Sequence, residues 1–499
     1  MNSLHNLTCF DIFEKNALYN GASPAIHWNG QDITYADLFA QTTKLSHGLK
    51  SLNLPAQSRI AVLCKNHPVF FHLFGAASAL NFVLVLINRR LSREEIFHVV
   101  EDTMPAVIIC DSEMAGEARA AATSFSYIKH CYVVDEDKEF SSLYDFPPLE
   151  NPRPIGPKDP YIIIHTAAVQ GKPRGAVLSQ ENILFSNQQI IQTYGLDRTK
   201  AYLNILPLFH IMGINMSLGM IQAGGRNILQ EKFDPKKTLA LIQEQKITIF
   251  GSFPPILSNL MDAMQEGKFD LSSFEIAAGL ETPETVKKWE SCTRSKFWTM
   301  YGQTETSGLI TFAEYFKKPG SAGAVSALAN IKIVDEFDTF LPTGTTGEIV
   351  VQGPLVFQGY WNAEELNAIT FREGWHHTGD LGMMDSEGFL FFKGRKAERE
   401  LIKPGGENVF PAEVEKAILK HDAVKEVCVF GVPDPKFGEG IKAVCSLNHG
   451  KNLTKEDLIK FCGSLIAGYK KPRYVEFIKE LPKTENGTID RQKIKVEYA

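Results

Sequence analysis

Residues 301–308, with the sequence YGQTETSG, combine the groups that a magnesium-bound phosphate requires. Threonine hydroxyls and backbone amides of a turn can bind phosphate oxygens, and Glu305 offers the hard oxygen ligand that Mg²⁺ prefers. For the segment taken alone, a polar loop is the alternative. Its neighbours favour a binding site, because LPLFHIMG precedes it at 206–213 and HHTGDLG follows it at 376–382.

Two charged residues further along the chain have the chemistry to bind a ribose. Asp380 is an acceptor-only side chain that can receive both sugar hydroxyls, and Arg395, which ends the KGR segment, offers a rigid set of donors. For each residue taken singly, a solvated aspartate or a surface arginine is the commoner interpretation. Their order along the chain relative to residues 301–308 favours a joint role.

The elements that must position these residues alternate between strand-length apolar runs and amphipathic stretches. The runs include RIAVLCKN, FVLVLIN, AVIICD, CYVVD, YIIIHT, YLNILPLF and TIFGSFP, and the stretches include SREEIFHVVEDT and PKKTLALIQEQ. Such alternation predicts an α/β fold with layers of helices on largely parallel sheets. After about residue 319, short pieces such as IKIVD and GEIVVQG predict a β-rich subdomain. Beyond Gly394, the pattern predicts a small α+β domain of about 100 residues.

Composition excludes several classes of protein. At 499 residues, with 44% apolar and 22% charged residues, the chain is a multidomain globular protein. A net charge of −6 argues against a nucleic-acid partner. The most apolar segment, PVFFHLFGAASALNFVLVLIN, is better explained by a buried helix and a buried strand than by an integral membrane segment. Eight scattered cysteines and the absence of a signal-like N-terminus predict reduced thiols in a cytoplasmic protein.

In order along the chain, YGQTE, HHTGDLG, KGR and PGGENVFPAEVE resemble the signatures of the adenylate-forming superfamily, which includes acyl-CoA synthetases, nonribosomal-peptide adenylation domains and luciferases. GGENVFPAEVE is most similar to acyl- and aryl-CoA ligases. The resemblance extends from ITYADL at 33–38 to LPKTENGTIDR at 481–491. It implies an N-terminal ATP- and acid-binding domain at 1–394, a hinge at 395–398 and a mobile C-terminal domain at 399–499.

The resemblance also implies a two-step reaction with a small carboxylic acid, ATP, Mg²⁺ and coenzyme A. The carboxylate first attacks the α-phosphate of ATP to give acyl-AMP and pyrophosphate, and a thiol then displaces AMP. Both steps require stabilisation of negative charge more than they require a nucleophile on the enzyme.

Carried over to this chain, the resemblance assigns Thr304 to the phosphates and Glu305 to the magnesium ion. His210 would form a wall between the acid and the thiol, although a satisfied core histidine is the alternative. The other positions implied to bind the nucleotide or coenzyme A are Thr166, Gly171 and Arg174 of the phosphate loop, Gly279, Leu280 and Glu281 of the adenine-side segment AAGLETP, Tyr301, Gly302 and Gln303, the ribose pair Asp380 and Arg395, and Gly405 and Gly406 beside the pantetheine, where a plain turn is the alternative.

The sequence departs from the family pattern at two places. The phosphate loop, HTAAVQGKPRG at 165–175, keeps Thr166 but replaces the usual hydroxyl and glycine positions with Ala, Val and Gln. Thr488 stands where the family places a lysine that bridges the carboxylate and the α-phosphate. Losing one such donor costs about 10²- to 10³-fold in rate. Adenylation should therefore be slow unless another cation substitutes, and the candidates are Lys442, Lys483 and Lys493.

These features together favour an acid–CoA ligase for a hydrophobic monocarboxylic acid, either fatty or aromatic. The expected pocket residues are mostly apolar and include no cation for a second carboxylate: Met212, Asn215, Met216, Leu280 and Gly308. Two alternatives stay open. One is a catalytically impaired protein that binds acyl-adenylate or acyl-CoA, and the other is an acyl-AMP ligase that loads a carrier protein.

Overall fold

The computed structural model describes residues 7–153, 155–166, 173–396, 401–484 and 488–499. Over these residues the chain forms four β-sheets with helices packed against them. The predicted α/β layers, the β-rich region after residue 319 and the small C-terminal α+β unit are all present.

The described strands have these bounds: β1 Pro24–Trp28, β2 Gln31–Thr34, β3 Arg59–Leu63, β4 Val83–Leu86, β5 Val107–Cys110, β6 His130–Val133, β7 Pro160–Thr166, β8 Arg174–Ser179, β9 Ala201–Asn204, β10 Arg226–Leu229, β11 Ile249–Ser252, β12 Ile276–Gly279, β13 Lys296–Gln303, β14 Gly308–Glu314, β15 Ala324–Val325, β16 Asn330–Val334, β17 Gly347–Gln352, β18 Phe371–Arg372, β19 Trp375–Met384, β20 Leu390–Arg395, β21 Val424–Asp434, β22 Gly438–Leu447 and β23 Tyr474–Ile478.

The described α-helices have these bounds: α1 Cys9–Asn20, α2 Tyr35–Ser51, α3 Val69–Leu80, α4 Arg93–Thr103, α5 Ala115–Ser124, α6 Lys138–Ser142, α7 Gln180–Tyr194, α8 Ile211–Ala223, α9 Pro235–Gln245, α10 Ile256–Met264, α11 Pro283–Cys292, α12 Glu364–Thr370, α13 Pro411–Ile418, α14 Lys455–Leu465 and α15 Arg491–Tyr498.

Two large sheets form the N-terminal part of the molecule. One has the order β6-β5-β3-β4-β7-β8 and the other β15-β14-β13-β12-β11-β9-β10-β1-β2. Their inner strands are parallel, and the edge strands β8, β2 and β15 are antiparallel to their neighbours, whereas the edge strand β6 is parallel to β5. Every residue of β4 and β5 is buried, which is why these strands read as unbroken apolar runs rather than alternating patterns.

The apolar segment that includes residues 69–86 forms helix α3 followed by strand β4, as predicted. The change from helix to strand occurs at Asn81, which has a left-handed conformation with φ +54° and ends the helix. Among the described helices, none combines the length and apolar character that crossing a bilayer requires.

The β-rich region is an antiparallel sheet with the order β16-β17-β19-β18, and β20 pairs with the other edge of β19. In this pairing Asp380 of β19 lies directly opposite Arg395 of β20. The register therefore brings together two residues that the sequence separates by a strand and a turn.

The C-terminal segment has its own sheet, β21-β22-β23, and its own hydrophobic clusters, which contain residues from Ile402 onward. Helix α14 begins after Thr454, whose hydroxyl caps the helix by accepting from the Asp457 amide at 3.1 Å. The domain boundary at residue 394 stays a prediction. Of the hinge predicted at 395–398, residues 397 and 398 lie outside the described residues.

Candidate active site

A cavity of about 1370 Å³ opens between the large sheets and the C-terminal segment. Its walls include residues that follow the carboxyl ends of β9, β11, β12 and β13, where open α/β sheets characteristically bind ligands. Residues of the C-terminal segment complete the opposite side. The sequence-predicted residues that line this cavity are His210, Leu280, Glu281, Tyr301, Gly302, Gln303, Thr304, Arg395, Gly405 and Gly406.

The other predicted residues occupy different positions. Glu305, Asp380, Gly279, Thr166 and Arg174 are absent from the described cavity lining. Gly171 and the altered loop segment 167–170 lie outside the described residues.

Glu305 lies in a 3₁₀ turn, Thr304–Thr306, that joins β13 to β14. Its side chain is buried, with the residue 8% exposed, and one carboxylate oxygen, Oε1, accepts from Thr166 Oγ1 and from the Tyr360 hydroxyl, both at 2.9 Å. Neither contact engages the second oxygen. Carboxylate and hydroxyl oxygens are the ligands that Mg²⁺ prefers. The residues present therefore fit a magnesium ion at this turn.

The turn is supported from below by helices α7 and α8. Ser307 adopts a left-handed conformation with φ +51°, and its carbonyl oxygen accepts from Ser186 Oγ at 2.7 Å and from Asn215 Nδ2. Asn215 and Met216, which the sequence placed in the pocket, are therefore buried behind its wall, whereas Met212 and Gly308 line it. Asn215 acts on the site by holding the turn.

Asp380 is 1% exposed and is surrounded by donors. Its Oδ1 pairs with Arg395 Nε at 3.0 Å, and its Oδ2 accepts from the Tyr301 hydroxyl at 2.7 Å and from Gln303 Nε2 at 2.6 Å. Burial and the neighbouring Asp380 carboxylate raise the pKa of Tyr301, which keeps the phenol protonated as a donor. This cluster joins the YGQ and TGD motifs, but ribose binding by Asp380 and Arg395 stays a prediction.

The adenine-side segment is a strand and a turn. Residues 276–279 are β12, and Leu280 follows, 39% exposed, on the cavity wall. Glu281 also faces the cavity. Burial raises the pKa of its carboxyl group to about 7, against the opposing effect of a hydrogen bond from Ser252 Oγ at 3.2 Å.

Glycine is needed at the predicted positions for two different physical reasons. A Cβ on Gly279 would lie 1.7 Å from the Ser252 carbonyl oxygen, and one on Gly302 would lie 1.9 Å from that of Gly308. These two glycines are therefore required by strand packing. Gly405 and Gly406 have φ of +59° and +85°, which glycine adopts at little cost, and they bring backbone to the cavity wall.

Glu407 is a site residue that the sequence analysis missed. It is buried, and its carboxylate accepts from Arg90 Nη1, from Asn88 Nδ2 at 3.3 Å and from His210 Nε2 at 3.5 Å. Burial alone would raise its pKa, but His210 and Arg90 outweigh this effect and hold the pKa at about 2. The contact joins residues 317 positions apart, which no local pattern indicates.

His210 is therefore not a satisfied core histidine. It precedes helix α8 as its N-cap residue, and its side chain is 39% exposed, lining the cavity and facing Glu407.

Lys403 is the second missed residue. It lines the cavity, where burial and the Arg395 charge lower its pKa to about 8, although Asp380 and Glu439 oppose the shift. The three lysines that the sequence offered as substitutes are absent from the described cavity lining: Lys442 pairs with Glu476 at 3.0 Å, Lys483 pairs with Glu426 at 2.8 Å, and Lys493 is exposed.

Comparison with known proteins decides the family. The sequence profile of the AMP-binding enzymes matches residues 13–361, and that of the AMP-binding enzyme C-terminal domain matches residues 413–488. The chain belongs to the AMP-binding enzyme family. This confirms the resemblance to adenylate-forming enzymes that the motifs indicated.

Other members of the AMP-binding enzyme family align over nearly the whole chain. The feruloyl-CoA synthase of an Amycolatopsis species is 30% identical over 471 residues, covering 93% of this chain and 94% of that protein. The long-chain-fatty-acid–CoA ligase of Bacillus subtilis is 30% identical over 539 residues, covering 98% and 94%.

Solved structures of one family member, in three complexes, support the fold and superpose on this chain to different degrees. The o-succinylbenzoate CoA synthetase of Bacillus subtilis is 25% identical, with 98% of each chain covered. Its double mutant bound to the product analogue OSB-NCoA superposes with a TM-score of 0.84, whereas its complexes with AMP and with the acyl-adenylate OSB-AMP each give 0.70. The arrangement of this chain is thus nearer to the product-analogue complex.

Proposed function

We propose that this chain is an AMP-forming acid–CoA ligase that acts on a hydrophobic monocarboxylic acid. The observation that carries the proposal is a single cavity onto which the Thr304 turn, Arg395, His210 and the Gly405–Gly406 backbone all open. Nucleotide, acid and thiol must meet in one place for such a reaction, and the family relatives named as CoA ligases support the same activity.

For adenylation, the residues around the turn bind and orient the substrates. Thr304 offers a hydroxyl to the phosphates, and Glu305 together with Thr166 would hold Mg²⁺. The bound ion would neutralise charge on the phosphate oxygens. Asp380 and Arg395 would receive the ribose once the nucleotide reaches this edge of the cavity. Positioning of this kind supplies much of the rate enhancement in phosphoryl transfer.

For thioester formation, the C-terminal segment contributes the wall opposite the turn. Gly405 and Gly406 leave room for a pantetheine arm beside Phe253, whose ring atoms would lie 3.1 Å from a Cβ on Gly406. His210, held by Glu407, separates the acid from this entrance. The higher TM-score with the product-analogue complex supports the assignment of the described arrangement to this second step.

The acid class follows from the remaining walls of the cavity. Its aliphatic and aromatic lining favours a fatty or aromatic acid over a short polar one: Ile205, Met212, Phe233, Phe253, Ile256, Met300, Leu309 and Tyr315.

The organisation that supports this function is an ATP- and acid-binding domain at 1–394, a hinge at 395–398 and a mobile domain at 399–499. We place the enzyme in the cytoplasm without a nucleic-acid partner, since its eight cysteines are free and its net charge is −6. The relatives favour this CoA ligase over both the non-catalytic binder and the carrier-protein loader.

The test is a panel of fatty and aromatic acids with ATP, Mg²⁺ and coenzyme A, monitored for AMP release. Acid-dependent exchange of pyrophosphate into ATP measures adenylation, and thioester formation from supplied acyl-AMP measures the second step. We expect both with at least one hydrophobic acid. A protein that performs neither step across the panel would contradict the proposal.

A further inference from the structure

Strand β19 carries Asp380 on an irregular stretch. In its pairing with β17 the register shifts between Glu348 and Val350, so that one residue of β17 faces residues 378–380 of β19. Extra residues of this kind form a β-bulge, which re-aims a side chain and interrupts the ladder of backbone hydrogen bonds. The backbone next to Asp380 therefore needs partners other than those of a regular ladder.

The side chain of Glu348 supplies such a partner. The residue is 4% exposed, and its Oε1 accepts from the Gly379 amide at 2.9 Å, while its Oε2 accepts from Lys396 Nζ at 2.7 Å. The Lys396 amide in turn donates to the Gly379 carbonyl oxygen at 3.0 Å. One carboxylate thus joins the residue before Asp380 to the residue after Arg395, and it holds together the two strands that carry the ribose pair.

The carboxyl group of Glu348 is an anion at neutral pH. Burial alone would raise its pKa, but His377 and Lys396 outweigh this effect and hold the pKa at about 2. Nδ1 of His377 lies 3.1 Å from Oε2 of Glu348. Hydrogen bonds to an ionised acceptor are about twice as strong as bonds between neutral groups. The bond from the Gly379 amide is therefore a firm attachment for the bulge.

The contact between Glu348 and Gly379 lies within the predicted N-terminal domain, so it does not depend on where the C-terminal segment lies. Lys396 belongs to the predicted hinge, and its contact is a property of the described arrangement. Glu348 itself is absent from the described cavity lining. Any effect on a bound nucleotide must therefore pass through the backbone beside Asp380.

We propose that Glu348 is a positioning residue, which orients the Asp380 carboxylate toward the ribose of the bound nucleotide. It acts through the Gly379 amide and through Lys396. A displacement of about 1 Å in a substrate contact can cost 10²-fold in rate, so this support matters for the reaction. The assignment rests on the proposed function for the place of the ribose, but nucleotide binding is measured without turnover, and the two are separable by experiment.

The test compares Glu348→Gln, which keeps the shape of the side chain and removes its charge, with Asp338→Asn. Asp338 belongs to the same ion cluster, where Arg372 Nε lies 2.9 Å from its Oδ2. Calorimetry measures the binding of AMP and of 2′-deoxy-AMP, which lacks one ribose hydroxyl. The unaltered protein and Asp338→Asn should each prefer AMP by at least about tenfold, because a hydrogen bond to a charged group is lost with the hydroxyl. In Glu348→Gln this preference should fall to about twofold or less.

Stability separates positioning from a purely structural role. Each substitution removes one partner of an ion pair, so both variants should have a lower melting temperature. A Glu348→Gln variant that is less stable but keeps the full preference for AMP would overturn the proposal. An unaltered protein that binds the two nucleotides equally would overturn the ribose placement and the proposal together.

Lys396 gives an independent readout, which also serves if Glu348→Gln does not fold. Lys396→Met should raise the dissociation constant for AMP by about threefold or more, whereas Lys396→Arg should stay within about twofold of the unaltered protein. The double variant of Glu348→Gln and Lys396→Met should bind AMP no more weakly than the weaker single variant, since both act through one contact. Unchanged AMP affinity in Lys396→Met, or fully additive effects, would contradict the assignment. If no acid in the panel reacts, the proposed function fails, and the nucleotide measurements still decide the role of Glu348.

Discussion

At the scale of single residues, Glu305 is buried and accepts two hydrogen bonds, from Thr166 and Tyr360, on the same carboxylate oxygen. Glu305→Gln preserves the shape of the side chain and removes the charge that a magnesium ion would neutralise. We therefore expect pyrophosphate exchange to fall by about 10²-fold or more, with a higher magnesium requirement. Glu314→Gln, on the exposed end of β14, is the control. Unchanged exchange in Glu305→Gln would remove Glu305 from the site.

Thr488 is exposed, and its hydroxyl lies 2.8 Å from the hydroxyl of Thr484. Thr488→Lys adds a cation on a segment that belongs to the family's adenylation machinery. It should accelerate pyrophosphate exchange by about 10-fold or more and leave thioester formation from acyl-AMP unchanged. The two rates are measured separately on the same preparation. An equal change in both would count against a role confined to adenylation.

At the scale of elements, helices α7 and α8 support the turn that carries Glu305 through one shared acceptor. The Ser307 carbonyl oxygen accepts from both Ser186 and Asn215, so either donor alone can satisfy it. An unsatisfied buried carbonyl costs about 1–3 kcal/mol. We expect Ser186→Ala and Asn215→Leu to lower the melting temperature modestly, and the double variant to lower it by more than the sum. A strictly additive result would show that the two donors act independently.

The sequence predicted elements better than contacts between them. The run FVLVLIN indicated β4 and SREEIFHVVEDT indicated α4, because apolar periodicity and a Ser92 cap are local properties. The prediction that Asn215 lines the pocket was wrong, because Asn215 is buried behind the pocket wall. Which face of α8 packs inward depends on its contacts with β14 and α7. Glu407 and Lys403 were not predicted, because their place in the site depends on residues distant in sequence. Glu407 pairs with Arg90, and the charge of Arg395 acts on Lys403.

Gly279 and Gly302 illustrate a subtler limit of the sequence. The motifs assigned both glycines to nucleotide binding. In the structure, a Cβ at either position would collide with a backbone carbonyl oxygen of a neighbouring strand segment. A glycine in a motif can therefore be required by packing, by ligand binding or by both, and only the structure distinguishes these causes. By contrast, Gly405 and Gly406 combine left-handed backbone with a place on the cavity wall.

At the scale of the whole molecule, ion pairs between the N-terminal part and the C-terminal segment stabilise the described arrangement. The buried ammonium of Lys470 contacts Glu95 at the start of α4 and, at 2.6 Å, Glu413 in α13. Burial lowers the pKa of Lys470, but the two carboxylates outweigh this and raise it, so the lysine is charged at neutral pH. Together with the Arg90–Glu407 pair, this contact fixes the C-terminal segment over the cavity.

Lys470→Met removes the cation of a buried ion pair and leaves the carboxylates of Glu95 and Glu413 without a partner. We therefore expect it to destabilise this arrangement strongly. Removing one partner of a buried ion pair costs about 3–5 kcal/mol. If the arrangement serves thioester formation, that step should slow by at least about 10-fold while pyrophosphate exchange changes much less. Lys471→Met, which removes the exposed neighbouring lysine, should alter neither step. Equal slowing of both half-reactions would mean that Lys470 supports the fold as a whole, whereas selective loss of the thiol step would tie the ion triad to one position of the C-terminal segment.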